Sequence, residues 1–400
     1  MALVALHTRR LVPLLLSLLW GQLTLNPHSG YGIGLPYLTS SAVGLGMGRL
    51  SEVGMAACLP EQPAHSAHLT AMQADFSGYG RQAVLFSPSQ RAITGSGGLQ
   101  NLQLSFTRGR GWGFSLGLVP QAIQGYFSSA KTNGEPSLFY TEKTEGILSQ
   151  AYLQVALRWK SFAVGYHYGY LWGNYERQRS LLVASQTYAD YLSTRTRLSA
   201  YQHRLGLLWQ DTIEKAIYQF SFTYILPTSF RRQFWYIFQK NFSLTNILLD
   251  TLAYVRDSWR YVGGIRGGVC VGFPRVSIGL EAGYGFRLPR WEGPGLHARD
   301  AKPSQDIRLG VEYIPDPRSP YFYRRLRYQV GGFWFAPPYA QLSVWGITGG
   351  VGWQFLRTPN LVYLAIERGW LPHPTVSERY LQLSIGVVFR ELWFVPPRID

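Results

Sequence analysis

From about Ala67 to Phe394, apolar side chains recur at every second position, with small or polar residues between them. Ser161–Gly173 shows the pattern most clearly: Phe162, Val164, Tyr166, Tyr168, Tyr170 and Trp172 form one row, and Ala163, Gly165, His167, Gly169 and Gly173 form the other. A period of two is the signature of a β-strand. A soluble sandwich turns its apolar face inward and has little use for 26 Tyr, 13 Trp and 43 Gly. A transmembrane barrel needs an apolar exterior flanked by aromatics and a lumen of small and polar residues. The alternation therefore predicts an all-β protein, an antiparallel transmembrane β-barrel.

The N-terminus supports export. Arg9 and Arg10 precede a short apolar run, Leu11–Trp20, and the small Gly21 offers a cleavage point, so residues 1–21 read as a signal peptide. The run is too short to span a bilayer, and no later segment holds the ~18 uninterrupted apolar residues of a membrane helix. Mean hydropathy is near zero, as in barrels whose alternate residues face lipid. An exported, aromatic-rich chain of this kind is expected in the outer membrane.

The alternating stretches predict about fourteen strands, running from Ala67–Gly80 to Tyr380–Trp393. The connections support the count. Short ones (Arg108–Arg110, Lys160, Gln210–Lys215, Phe273–Pro274) alternate with long ones (Arg81–Gly98, Pro120–Gly146, Asn174–Arg195, Pro227–Arg260, Leu288–Gln305). Periplasmic turns and extracellular loops differ in this way. No Pro/Gly/Ser linker divides the chain. The division expected is a signal peptide (1–21), an N-terminal hatch or plug in the lumen (22–66) and the barrel (67–400). Tyr31, Leu35, Tyr37, Leu38, Leu45, Met47 and Leu50 would anchor the hatch.

The formal charge of +16 raises nucleic-acid binding, but scattered basic residues on an exported chain argue against it. Outer-membrane lipid, anionic lipopolysaccharide or an anionic ligand suits such a field better. Cys58 and Cys270 lack metal-ligand spacing. Both are expected to face the lumen, where they would either pair as a disulfide or stay as buried thiols. There is no G-x-S-x-G elbow, H-E-x-x-H pair or Cys/His cluster. No enzymatic activity, metal or cofactor is expected.

Several motifs carry a resemblance. The opening Asn26-Pro-His-Ser-Gly-Tyr-Gly-Ile-Gly34, the stretch Gln62-Pro-Ala-His-Ser-Ala67, the strand Ile307-Arg-Leu-Gly-Val-Glu-Tyr-Ile-Pro315, and the closing Gly346–Gly352, Glu378–Tyr380 and Leu392–Phe394 resemble, in order, those of Bacteroidota outer-membrane proteins of the FadL-like fatty-acid-transporter type. The resemblance implies fourteen strands, an N-terminal hatch pinned near Gln62, Pro63 and Ala64, and passage of hydrophobic molecules. This chain departs from the family pattern in having Gln for Asn at position 62.

Parity places Asp75, Arg158, His167, Arg204, Arg266, Glu281, Arg287, Arg308, Glu312, Arg325, Arg327, Glu367 and Arg390 in the lumen. Most would hold wall and hatch together by Arg–carboxylate pairs. Arginine outnumbers acid, so Arg266, Arg308, Arg325 and Arg327 are candidates to clamp an anionic head group. Tyr152, Leu171, Tyr363 and Val388 would line an apolar groove or pack on the hatch. Gly283, Gly285, Gly349, Gly350 and Gly352 would mark a wall kink or leave room for the hatch. The aromatic, basic stretch Pro227–Arg260 would capture an amphiphile, rest on lipopolysaccharide or fold back. The expected function is passive uptake of hydrophobic or amphipathic small molecules. The rivals are a non-transporting barrel in a secretion or surface-assembly complex, with other envelope proteins as partners, and a water-filled porin.

Overall fold

The computed structural model describes most of the chain between Leu38 and Glu391, together with Ser29 and the pair Leu35–Pro36. Several short stretches, residues 1–28 and residues 392–400 lie outside the described residues, and the expected signal peptide falls among them. Sixteen strand segments follow in chain order: β1 Met72–Phe86, β2 Arg91–Thr107, β3 Trp112–Lys131, β4 Leu138–Trp159, β5 Phe162–Val183, β6 Asp190–Ile213, β7 Ala216–Ile225, β8 Thr228–Asn241, β9 Ile247–Tyr261, β10 Gly264–Gly272, β11 Val276–Gly285, β12 Gln305–Tyr313, β13 Arg327–Ala336, β14 Val344–Gln354, β15 Leu361–Leu371 and β16 Ser377–Glu391. β7 and β8 both pair with β6, while β9 and β10 follow them on the other side. Each couple is thus one stave broken in the middle, and the barrel has the expected fourteen staves. Antiparallel pairing of β16 with β1, from Glu391↔Met72 to Ser377↔Phe86, closes it.

The alternation translates directly into two faces. Along β5, Phe162, Val164, Tyr166, Tyr168 and Tyr170 are exposed, while Ala163, Gly165, His167 and Gly169 are buried. Trp112 and Trp159 stand on the outside near the short-turn end, where amphipathic rings meet the membrane–water interface. At that end Lys160 and Glu214 adopt positive φ (56° and 55°), the backbone that two-residue hairpins require.

Three expectations are corrected. Four of the five stretches taken as long loops are mostly strand, because β1–β6, β8 and β9 run on past the apolar band, and Leu288–Gln305 lies mostly outside the described residues. There the outer face need not be apolar, so the alternation fades while the hydrogen-bond ladder continues. Pro227–Arg260 is accordingly the β8–β9 hairpin, paired from Tyr261↔Thr228 to Ile247↔Asn241. Ala67 lies not in the first strand but in a 3-10 turn, Pro63–His68, which Gln62 caps by accepting a hydrogen bond from the Ala64 amide.

The third correction concerns the wall. β11 and β14, which hold the glycines at 283, 285, 349, 350 and 352, pair with their neighbours without interruption where those glycines sit. The wall parts instead between β2 and β3. These pair only over Leu102–Thr107 with Gly113–Leu118. Register shifts skip Gln100 on one strand and Gln121, beside Pro120, on the other. Such bulges twist and redirect strands. Beyond them, among the described residues, β2 stays with β1 and β3 with β4. Leu35–Pro36 lies on the freed β3 edge opposite Ile123–Ala122, and Ser29 Oγ both donates to the Gly125 carbonyl and accepts from its amide, each at 2.9 Å.

Candidate functional site in the barrel lumen

The described residues between Leu38 and Leu69 bond to inward-facing residues of the wall, because a chain with no regular ladder of its own must find partners for its backbone groups. The wall supplies them. Glu281 Oε1 accepts hydrogen bonds from the amides of Ser51, Glu52 and Val53 at 2.8, 2.6 and 2.9 Å. Asp75 accepts from the Ala42 amide and from Asn101 Nδ2. Thr348 Oγ1 accepts from the Gly48 amide at 2.8 Å and donates to the Gly46 carbonyl at 2.9 Å. Gln329 donates to the Val43 carbonyl, Gln154 to the Pro60 carbonyl.

Buried charge ties the same two parts together. Arg49 grips Glu367 with two hydrogen bonds, 2.5 and 3.0 Å, and Tyr380 OH donates to the same carboxylate at 2.8 Å. Arg266 pairs with Glu61 of the inner segment and, at 3.0 Å, with Asp306 of the wall. Arg308 reaches Asp306 at 3.1 Å and donates to the Arg49 carbonyl at 2.8 Å and to Ser51 Oγ at 2.7 Å. Glu52, also in the inner segment, receives Thr223 Oγ1 at 2.8 Å. Burial outweighs the attraction of Arg266 and pushes its carboxyl up to about 7.

Packing completes the contact. Ala42 and Val43 sit against Leu361, Tyr363 and Val388, and Ala64 and Ala67 against Ala156, Ala163 and Leu208. Two glycines show how close the backbones come: a Cβ on Gly331 would overlap the Gly48 amide nitrogen, and one on Gly350 would lie 3.0 Å from Gly46 Cα.

This geometry reassigns the residues singled out from the sequence. Arg266 and Arg308 do converge, but onto Glu61 and Asp306, so they do not form an open anion clamp. Arg327 is paired with Glu312 at 2.8 Å. Arg325 lies outside the strands, at the end of the 3-10 turn Phe322–Arg324. Tyr363 is fully buried on the inner segment, and Tyr152 stacks on His167 with ring centroids 4.9 Å apart. Gln62 donates to the Leu207 carbonyl at 3.2 Å, which keeps position 62 pinned to the wall despite its longer side chain. Cys270 is a buried free thiol, and Cys58 and Arg287 lie outside the described residues. Sequence reasoning missed Arg49, Glu52 and Glu61. The signal was there: three charges in a stretch otherwise apolar and small need partners if that stretch is buried.

Above the inner segment a cavity of about 130 Å³ remains. Leu38, Leu148, Leu171, Ile225, Phe230 and Phe335 give it apolar walls, and Arg204, Arg266 and Asp306 give it polar ones. Phe230, at the start of β8, is buried here, so this part of the expected loop folds inward. Among the described residues no group of His, Cys, Asp and Glu is arranged to hold a metal ion.

Comparison with known proteins adds two findings and one blank. No curated protein matches the chain. Its fold is shared with hydrocarbon channels. The CymD monoaromatic hydrocarbon channel is 13% identical with a TM-score of 0.60, over 90% of this chain and 99% of that one. The Pseudomonas putida toluene transporter TodX is 15% identical with a TM-score of 0.59, over 89% and 98%. The TodX deltaS2S3 mutant monoaromatic hydrocarbon channel gives 12% and 0.62, over 88% and 99%. At such identity the likeness is one of fold alone, a closed fourteen-stranded antiparallel β-barrel. Sequence kinship comes from a family model, BamG, which matches residues 10–244, more than half of the chain. The chain therefore belongs to the BamG family.

Proposed function

We propose that this protein is a sealed outer-membrane barrel, with residues 38–69 as a fixed hatch, and that it serves as a non-transporting component of a secretion or surface-assembly complex in the envelope. The observation that carries this reading is the Glu281 carboxylate, which holds three consecutive hatch amides. With the Arg49–Glu367 pair and the Thr348 contacts, it makes the hatch part of the wall's polar framework. Moving the hatch would leave several buried charges and amides without these partners, at ~1–3 kcal/mol for each neutral group and more for each charge. A pore that opens and closes on demand is poorly served by such a lock. Membership in the BamG family is a kinship of sequence over more than half of the chain, whereas the likeness to the hydrocarbon channels is one of fold alone.

One observation favours a second reading, uptake of hydrophobic or amphipathic small molecules. The cavity above the hatch is apolar on one side and polar on the other, and the structural neighbours CymD and TodX are monoaromatic hydrocarbon channels. Because Arg266 beside the cavity is neutralised by Glu61 and Asp306, a ligand end entering next to it would be neutral, not a fatty-acid carboxylate.

Purification from the native envelope in mild detergent decides between the two. A stoichiometric complex with other envelope proteins, and purified barrel that neither conducts in planar bilayers nor retains small molecules by mass spectrometry, is the expected result. A barrel isolated alone with one stoichiometric neutral amphiphile would sink the assembly reading in favour of uptake.

A further inference from the structure

A second pocket, of about 240 Å³, opens in the short-turn mouth of the barrel, and among the described residues no hatch residue lines it. Four cations line it, Lys215, Arg275, Arg327 and Arg390, against one carboxylate, Glu312. That carboxylate is already committed on both oxygens: Oε1 accepts from Arg327 and Oε2 from Gln329, each at 2.8 Å. Arg390 is held at its backbone, where the amide donates to Asn360 Oδ1 at 2.8 Å. Its side-chain Nε is shielded from solvent and makes no hydrogen bond among the described residues. Lys215 and Arg275 stand exposed on two neighbouring tight turns at the rim.

Like charges gathered around one concavity repel unless something neutralises them, and the low-dielectric wall concentrates their field. A largely buried guanidinium with an unused donor at the inner end, and two exposed cations at the rim, match the donor needs of a tetrahedral or planar oxyanion. We infer that this mouth is an anion-binding site, which takes the phosphate or carboxylate group of a ligand approaching from the periplasmic side. Arg390 supplies the directed contact, Arg327 is shared with Glu312, and Lys215 and Arg275 draw the anion in. The inference stands whether or not the barrel works in an assembly.

The test is a calorimetric titration of the full chain, folded in neutral detergent at low ionic strength, with pyrophosphate. The wild type is expected to bind saturably at one site. Arg390→Gln should weaken binding about tenfold or more, the scale of losing one charge-assisted contact, and Lys215→Ala with Arg275→Ala several-fold, with binding that falls steeply as salt is added. Heat-modifiable gel migration checks that each variant is a folded barrel. The paired rim variant alters only exposed turns and so keeps the test valid if Arg390→Gln misfolds. Reconstitution with phosphatidylglycerol separates the sources: lipid retained by the wild type and displaced by pyrophosphate makes a lipid headgroup the natural occupant, and binding of pyrophosphate without lipid retention makes it a soluble anion. No saturable binding by the wild type, or unchanged binding in the folded variants, overturns the inference.

Discussion

Two sectors of the wall behave in opposite ways. From β10 to β16 every strand pairs with its neighbour in unbroken register, and inward glycines let the hatch backbone lie directly against the wall, as at Gly331. From β2 to β3 pairing stops halfway, bulges turn the strands apart, and the N-terminal pair Leu35–Pro36 patches the exposed β3 edge. The first sector is closed by packing and buried charge, which are hard to undo one contact at a time. The second is closed by a few hydrogen bonds on an edge, which is where sheets are weakest. If this barrel ever opens, it opens there.

The sharpest way to break that contrast is Arg49→Ala. It leaves Glu367 charged, buried and without its guanidinium, and should cost ~3–5 kcal/mol in denaturant unfolding. Replacing both Arg49 and Glu367 by Met should recover most of the loss, which separates the penalty of an orphaned charge from the net worth of the pair. Glu281→Ala comes next. It frees three hatch amides, and a loss of ~2–3 kcal/mol is expected, together with protease cleavage between Ser51 and Gly54 in an otherwise folded barrel. Persistent protection of that stretch would show that packing, not the carboxylate, fixes the hatch.

Gly331→Ala should cost ~1–3 kcal/mol by overpacking, since the backbone it meets has no room to retreat. Gly349→Ala, whose Cβ would find only Gln329 O at 3.9 Å, should be near neutral on the same strand pair. The smallest effect belongs to the other sector. Ser29→Ala removes the side-chain partner of Gly125 and should cost only ~0.5–1.5 kcal/mol. It should nevertheless speed hydrogen exchange at the Gly125 amide while amides of β12 and β13 exchange as before. Equal acceleration in both sectors would mean that the wall opens as a whole.

The alternation of Phe162–Trp172, read from the chain alone, placed those side chains on the correct faces, and the fourteen staves followed from repeating that reading. Side-chain parity is a local property of extended backbone, and the bilayer enforces it by giving one face lipid and the other a packed interior. The lumen positions of Asp75, Glu281, Arg308 and Glu367 were legible for the same reason. Their partners were not. That Arg266 meets Glu61 while Glu281 meets three amides depends on how a segment without periodicity threads the lumen, and nothing local encodes that path. The part in the wall also escaped the sequence. Glycine-rich strands such as β11 and β14 looked breakable, yet they are held by neighbours and by the hatch, whereas the break falls at Gln100 and Pro120–Gln121, where two bulges face each other only once β2 and β3 are side by side. Sequence alone thus determined the inward face of the regular strands and how many strands close the barrel. The tertiary structure decided which buried charges neutralise one another, because that choice is made across strands far apart in the chain, where the cost of leaving a charge unpaired selects the arrangement.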